Sequence, residues 1–446
     1  MKKLFGTDGM RGHAGEFPLD EKTIETVGRS LARQIGEKTG RRPRFVTGRD
    51  TRESGAAIEA AFHRGARSAG AHCESAQVIT TPGVAYLTKA FDFDAGIVVS
   101  ASHNPFEDNG IKIFSPSGKK IDEATEREIE KDIFRGDAAR GDAAAVDSSR
   151  AADFRRSYLD YVAEEFVDLR LDRLKLVVDC ANGAACALAP PLFERFGAQV
   201  VAINDRPDGR NINENCGSLH LDKLQERVLE ERADFGVAFD GDADRSLFVD
   251  ERGNLVDGDA VLWIMGQFLE DHGRLRAQTV VATVMSNIGL EIALGTKNIK
   301  LLRAAVGDKY VLEELLRTGA SIGGEQSGHI IFPEKSLVGD GLMTACFLLE
   351  AMFEKNKSLS EMTKGFTRYP QILVNVKVRE KRPFEEVAEI FAASRALESE
   401  LDGKGRLLLR YSGTENLARV MIEGENQVVI SEQAHRLADV IKTSLG

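Results

Sequence analysis

Asp240-Gly-Asp242-Ala-Asp244-Arg245 places three carboxylates at alternate positions, and no other stretch of the sequence carries so strong a chemical signal. On a surface strand such a row would repel itself, so a bound cation is the economical explanation. The spacing also matches the first, third, fifth and twelfth places of an EF-hand loop, counting Glu251. Arg245 stands where that loop needs glycine, however, and the flanks read as strands rather than helices. With so few protein ligands the ion is expected to be Mg²⁺, which takes a small carboxylate set completed by water or a phosphate oxygen.

A phosphate needs an attachment point, and Ser102 in Ser100-Ala-Ser-His-Asn-Pro105 is the candidate. The apolar run Ile97 to Val99 reads as a strand, so its hydroxyl sits just past a strand's C-terminal end, where open α/β sheets bind ligands. Asn104-Pro105 and Asn109-Gly110 are turn signals that fold the segment back and bring Lys112 near the serine. Taken alone the segment reads more simply as a turn, and an adjacent Ser-His pair does not define a triad. His103, Lys112 and a metal are the available activators.

Two further loops complete the set. Gly324-Glu-Gln-Ser-Gly-His329 offers Glu325, Ser327 and His329 between glycines, a mixture suited to sugar hydroxyls, which both donate and accept. A polar surface loop is the competing reading. Arg410-Tyr-Ser-Gly-Thr414 brings a guanidinium, two hydroxyls and backbone N–H groups around a glycine, with Arg419 on the next strand. That is a phosphate cradle or, more plainly, a hairpin turn. A serine, a metal site, a sugar loop and a remote phosphate site together suit one reaction: moving a phosphoryl group between two positions of a sugar through a phosphoenzyme.

These loops need elements to hold them. Asp20 reads as an N-cap before the stripe Ile24, Val27, Leu31 and Ile35, and a second helix spans about 55–69. Between them 44–52 reads as a strand running into a turn dense with charge, Arg49, Asp50 and Arg52, which alone is a solvated turn held by its own ion pairs. Strand, helix, strand is the βαβ pattern. The pattern recurs at 174–183 and 235–245, and again at 279–287 and 320–329, each time ending in a polar loop. Three similar mixed-sheet α/β domains follow from this repetition. The tail differs: alternation at Ile372, Val374, Val376 and Val378, a helix from Phe384, strands at 406–410 and 417–422, and a helix from about Ser431 form a small α+β domain. The expected domains are 1–155, 156–256, 257–368 and 369–446. Residues 136–153, mixed in Ala, Asp, Arg and Ser, read as a surface connection.

The 446 residues suffice for roughly three domains or more at about 150 residues each. Hydrophobic content of 42% and charged content of 29% are those of a globular protein. A net charge of -11 argues against nucleic acid as a partner, and requires basic residues to gather locally around any phosphate. No run approaches a membrane span, so a cytoplasmic protein is expected. Five cysteines without a C-x-x-C pair suggest buried thiols.

The four motifs, in this order and one per domain, resemble those of the α-D-phosphohexomutases over the whole chain. Phe5-Gly-Thr-Asp-Gly-Met-Arg-Gly12, the stretch Asn104 to Lys112 and Arg419-Val-Met-Ile-Glu-Gly424 resemble the bacterial branch acting on amino sugars. The resemblance implies four domains around a central cleft. It also implies interconversion of glucosamine 6-phosphate and glucosamine 1-phosphate through a glucosamine 1,6-bisphosphate. Ser102 would be the phosphoserine and, with Asp240, Asp242 and Asp244, a Mg²⁺ ligand. Arg11, Lys112, Arg245 and His329 would surround the transferring group, and Lys112 or His329 would shuttle protons. Glu325 and Ser327 would hold sugar hydroxyls, while Arg410, Ser412, Gly413, Thr414 and Arg419 would hold the other phosphate. A homodimer is implied as well. Leu337-Val338 depart from the pattern, where threonines would be expected. Rivals are a mutase of glucose or mannose phosphates, a Ser-dependent phosphatase and a sugar-phosphate sensor.

Overall fold

The computed structural model describes residues 3–136, 145–412 and 415–446. They fall into two compact units, 1–283 with 304–364, and 284–303 with 365–446.

The first unit begins with a hairpin, β1 (Phe5–Gly6) and β2 (Gly9–His13), so the N-terminal glycine-punctuated segment is both the hairpin and the carrier of Arg11. Helix α1 (Glu21–Thr39) starts where expected, the Asp20 side chain accepting the Thr23 N–H, and buries Ile24, Val27 and Leu31. Then follow β3 (Arg44–Arg49), α2 (Gly55–Ser68), β4 (His72–Val78), α3 (Thr81–Ala90), β5 (Ala95–Val99), β6 (Asp108–Phe114), α4 (Glu123–Arg135) and α5 (Ala151–Glu165). The sheet order is β1-β2-β6-β5-β3-β4, with β3 parallel to β4 and β5, and β6 antiparallel to β5.

One expectation is corrected here. Asn109-Gly110 is not a turn but the start of β6, where Gly110 pairs with Arg11. Fully buried, this pair of residues serves the ladder; the fold-back lies earlier, between β5 and β6. Lys112 still arrives beside the serine loop, because it pairs with Val98 near the end of β5. The supposed surface connection is also partly structured: residues 137–144 lie outside the described residues, but Asp147 accepts the Ser75 N–H and α5 begins at Ala151.

The second sheet repeats the plan. Strands β7 (Lys175–Asp179), β8 (Gln199–Ile203), β9 (Phe235–Phe239), β10 (Ser246–Asp250) and β11 (Leu255–Val256) lie in the order β11-β10-β9-β7-β8, with helices α6 (Ala189–Arg195) and α7 (Asp222–Glu231). Strand β7 is parallel to β8 and β9, and β10 turns back antiparallel on β9. The strand flanks dispose of the EF-hand. The third repeat uses α8 (Gly258–Asp271) and β12 (Thr279–Thr283), then, beyond α9 (Ile288–Gly295) and β13 (Lys300–Ala304), α10 (Asp308–Thr318), β14 (Gly323–Gly324), β15 (Ile330–Ile331), α11 (Gly341–Lys355) and α12 (Leu359–Met362). Strand β14 is parallel to β12 and antiparallel to β15. In each repeat a strand paired in parallel on one side turns back through a hairpin, and the three hairpin loops are those at 100–107, 240–245 and 325–329.

The second unit contains α9, β13 up to Arg303, and an antiparallel sheet ordered β16-β18-β17 from β16 (Gln371–Lys377), β17 (Gly405–Tyr411) and β18 (Leu417–Gly424). Helices α13 (Ala388–Leu401) and α14 (Gln427–Leu445) cover it, burying Ile390, Leu397, Leu437 and Ile441 against Val420 and Ile422. Two boundaries move. Phe384 to Glu386 is a 3₁₀ turn before α13, and α14 starts four residues earlier than Ser431 because Asn426 caps it. Among the described residues no helix is long and apolar enough to cross a membrane. No cysteine is disulfide-bonded; all are buried except Cys186, which is half-buried.

Candidate active site

The three hairpin loops of the first unit meet at a buried carboxylate cluster. Asp240, Asp242 and Asp244 each offer an oxygen within 4.8 Å of the others. Burial, then Asp244 and Asp242, push Asp240 well above the usual carboxylate range. Oδ1 of Asp242 and Oδ1 of Asp244 are buried without a hydrogen-bond partner. Crowded carboxylates with orphaned, converging oxygens fit a divalent cation, whose charge removes the repulsion that burial magnifies. The remaining oxygens are held by protein: Thr81 donates to Asp242 Oδ2, and Arg245 N–H to Asp240 Oδ1 at 3.1 Å.

Ser102 belongs to this cluster. Its Oγ donates to Asp240 Oδ2 at 2.5 Å and lies 3.2 Å from His103 Nδ1. Ser102 is buried, and its φ of 54° is left-handed, a conformation that costs a non-glycine residue about 1–2 kcal/mol. The tight loop after β5 thus aims the hydroxyl at the carboxylates, and surrounding bonds must hold it there. Burial, then Arg245 and Arg11, lower the His103 pKa to about 4. Its Nδ1 accepts from Arg245 Nη1 at 3.1 Å, so the neutral ring carries its proton on Nε2.

Lys112 rises from β6 into the same place, 1% exposed. Its Nζ is 2.8 Å from Asp242 Oδ2, 3.0 Å from Asp244 Oδ2 and 3.1 Å from Asp8 Oδ2. Burial disfavours its charge, yet Asp242, Asp244 and Asp8 outweigh that and raise its pKa well above the ordinary lysine value. Arg11 pairs with Asp8 and reaches Asn104 Oδ1 at 3.3 Å. His329 places Nδ1 3.5 Å from Asp244 Oδ1, while the Gly339 N–H donates to its Nε2 at 3.0 Å. Burial opposes charging of this ring, but Asp244, Asp308 and Glu325 together raise its pKa to about 9. The amide aimed at Nε2 works against double protonation, and the Nδ1–H imidazole is the tautomer that can accept it.

Beside the cluster opens a cavity of roughly 490 Å³, lined among others by Arg11, His103, Arg245, Asp308, Glu325 and His329. Glu325 is fixed there, its Oε1 accepting the Gly307 N–H at 3.1 Å. Ser327 is half-buried on the same turn and is not part of the lining. Gly328, at φ 90°, could not be otherwise: a β-carbon there would meet Ser246 O at 2.2 Å. That contact, with the Ser246 N–H donating to Gly328 O, locks the 325–329 turn onto the metal hairpin. At the departure noted above, Val338 is buried and its carbonyl accepts from Ser336, so no hydroxyl contact arises from that side chain.

In the second unit, Arg410 and Arg419 pair directly across β17 and β18. Burial, then Arg419, lower the Arg410 pKa. Arg419 Nη2 lies 3.4 Å from Ser412 Oγ, and its buried Nε has no partner. Two adjacent guanidiniums with an orphaned donor are what an anion would relieve. Gly413 and Thr414 lie outside the described residues.

Sequence reasoning passed over Asp8, Thr81, Lys120 and Asp308. Lys120 is wedged between Asp8 Oδ1 and Asp308 Oδ2, both at 2.6 Å. Asp8 stands in the segment 5–12, whose one expected site residue is Arg11, and the others carry no local signal. The charged turn after β3 is not solvated: Asp50 and Arg52 pair with each other fully buried.

The sequence matches "Phosphoglucomutase/phosphomannomutase, alpha/beta/alpha domain I" over residues 2–140, domain II over 156–253, domain III over 257–369 and the C-terminal domain over 373–440. It is 48% identical over 445 residues to a protein of Solibacter usitatus named phosphoglucosamine mutase, covering 100% of this chain and 99% of that one. Others at 44 to 46% identity over the whole chain share that name. A crystal structure of a phosphoglucomutase/phosphomannomutase family protein from Burkholderia thailandensis superposes with a TM-score of 0.80 at 24% identity, covering 99% of this chain and 97% of that one. The N-acetylphosphoglucosamine mutase of Aspergillus fumigatus, solved with GlcNAc-6P and magnesium, gives 0.68 at 19%, covering 99% and 96%. Both share the fold.

Proposed function

The chain belongs to the phosphoglucomutase/phosphomannomutase family, and from that premise we propose that it is a phosphoglucosamine mutase, interconverting glucosamine 6-phosphate and glucosamine 1-phosphate through a phosphorylated Ser102. The observation that carries the reading is Ser102 Oγ against Asp240 inside a buried triple-Asp cluster, with a cavity lined by Arg11, Arg245 and His329 beside it. The amino sugar is favoured by the shared name of relatives at 44 to 48% identity.

Phosphoserine 102 gives its phosphoryl group to O1 of glucosamine 6-phosphate. The O1–P bond forms as the Oγ–P bond breaks, and the O1 proton ends on Oγ. After the bisphosphate has turned over, Oγ takes the phosphoryl group from O6 and its proton passes to O6. Asp240, Asp242, Asp244 and Ser102 would hold Mg²⁺, which supplies charge neutralisation at the transferring phosphoryl oxygens. Lys112, Arg11 and Arg245 bring positive charge to the same group. Positioning and charge stabilisation are what such transfer needs from a protein. Glu325 and Ser327 hold sugar hydroxyls, and Arg410, Ser412, Gly413, Thr414 and Arg419 hold the phosphate that does not react. The proposal includes the four-domain division at 155, 256 and 368, a homodimer and a cytoplasmic location; light scattering tests the dimer.

Mass spectrometry of the purified protein, joined to an assay with glucosamine 6-phosphate, Mg²⁺ and a hexose bisphosphate primer, tests the reading. A phosphate on Ser102 and formation of glucosamine 1-phosphate are expected, with turnover lost in Ser102→Ala. Full turnover by that variant would overturn the assignment of the nucleophile. Turnover of glucose or mannose phosphates alone would transfer the reading to those sugars.

A further inference from the structure

We propose that Arg52 and Asn213 are positioning residues for the nucleophile, clamping the backbone of Ser102 from two sides; the inference rests on Ser102 being the group that is phosphorylated. The left-handed Ser102 sets its carbonyl, and that of Asn104, into a buried pocket of donors. Asn213 Nδ2 donates to Ser102 O at 2.9 Å and to Asn104 O at 3.0 Å. Arg52 Nη2 donates to the same two oxygens, at 3.2 and 2.5 Å. Each carbonyl therefore receives one bond from each residue. The Ser102 N–H in turn donates to Ser100 Oγ at 2.9 Å.

The clamp is itself built. Arg52 is 1% exposed; Asp50 pairs with its Nη1 and accepts its backbone N–H at 2.9 Å, which fixes the guanidinium plane. Asn213 is 9% exposed, left-handed at φ 59°, and tied through its own N–H to Ala181 O at 2.9 Å. Gly241, between the first two metal-site aspartates, lies so close that a β-carbon would meet Ser102 O at 2.6 Å. The carbonyl of the serine is thus boxed in by the turn after β3, by the loop after β8 and by the metal hairpin. In-line phosphoryl transfer demands that Oγ hold its place against the cation and the incoming oxygen. A residue in a strained conformation stays there only when its surroundings over-determine it. Neither Arg52 nor Asn213 lines the cavity, so their effect passes through the serine.

The test compares the full-length wild type with Asn213→Ala, Asn213→Asp and Arg52→Lys. Asn213→Asp keeps the shape but turns oxygens toward both carbonyls. Arg52→Lys keeps the charge beside Asp50 but loses the fork that holds Asp50 with Nη1 and both carbonyls with Nη2. Expected is a fall in kcat on the order of 10²-fold for Asn213→Ala, by analogy with small misplacements of reacting groups, a larger fall for Asn213→Asp and a smaller one for Arg52→Lys. KM should change by less than about threefold, since the substrate is not touched. The rate at which glucose 1,6-bisphosphate phosphorylates Ser102, read by intact mass, should fall in parallel, with melting temperatures near that of the wild type. Unchanged kcat in folded Asn213→Ala and Asn213→Asp proteins overturns the clamp, as does a loss that tracks KM or melting temperature while the phosphorylation rate stays at the wild-type value. A wild type that never becomes phosphorylated on Ser102 fails the underlying reading instead.

Discussion

At the scale of single residues, Lys112 carries the largest electrostatic load. It is a buried ammonium facing Asp8, Asp242 and Asp244, and each partner of such a set is tolerable only because the others are present. Removing the cation leaves the buried carboxylates of Asp242 and Asp244 converging with the partly exposed Asp8 and no positive charge between them. Lys112→Met is therefore expected to destabilise the metal-free first unit by about 3–5 kcal/mol, the cost of orphaning buried charge. Urea unfolding in chelator measures it. A change within 1 kcal/mol would mean that the carboxylates are relieved some other way. The lysine itself was legible, because it lay on a segment folding back toward a serine. Its partner Asp8 was not: an aspartate between glycines looks like any turn residue until the hairpin brings it across the sheet.

At the scale of elements, the informative case is the start of α11. Asp340 caps that helix, accepting the Met343 N–H at 3.0 Å and the Tyr158 hydroxyl at 2.9 Å, yet it is buried. Burial outweighs those two bonds and raises its pKa to about 6 from 3.8. The folded protein thus holds a proton that the unfolded chain has already released. Between about pH 4 and pH 6 this group's contribution to stability falls as pH rises, by about 3 kcal/mol at about 1.4 kcal/mol per pKa unit. Asp340→Asn keeps an oxygen for Met343 and has nothing to titrate. Relative to the wild type it should gain about 3 kcal/mol across that window and keep the gain above pH 6; parallel pH profiles for the two proteins would refute this. The element scale is also where the sequence was most legible. Strand periodicity, the Asp20 cap and the polar loops after 99, 239 and 324 all read correctly, because each is a local pattern. The misreadings were tertiary. Asn109-Gly110 has turn chemistry, but pairing with Arg11 draws it into a strand. Asp50 and Arg52 look solvated in sequence and are buried because two loops, one carrying Asn104 and the other Asn213, close over them.

At the scale of the whole molecule, a chain of net charge -11 gathers Lys112, Arg11, Arg245 and Lys120 at one place and lets Asp8, Asp244 and Asp308 balance them. A cation among Asp240, Asp242 and Asp244 would add to that balance, and the orphaned oxygens of Asp242 and Asp244 lie in the first unit. The second unit has its own core, built on Ile390, Val420, Ile422 and Leu437, and no member of that cluster. Mg²⁺ should therefore stabilise one unit and leave the other alone, and two units with separate cores need not melt as one. Calorimetry across a Mg²⁺ titration is expected to show one transition moving upward while the other stays fixed. The shift corresponds to about 2.7 kcal/mol at a hundred times the dissociation constant. Asp242→Asn should abolish the movement while keeping both transitions, since it removes a ligand charge without emptying space. If both transitions shifted together, the cation's effect would reach beyond the first unit; if neither moved, the orphaned oxygens of Asp242 and Asp244 would need a different partner.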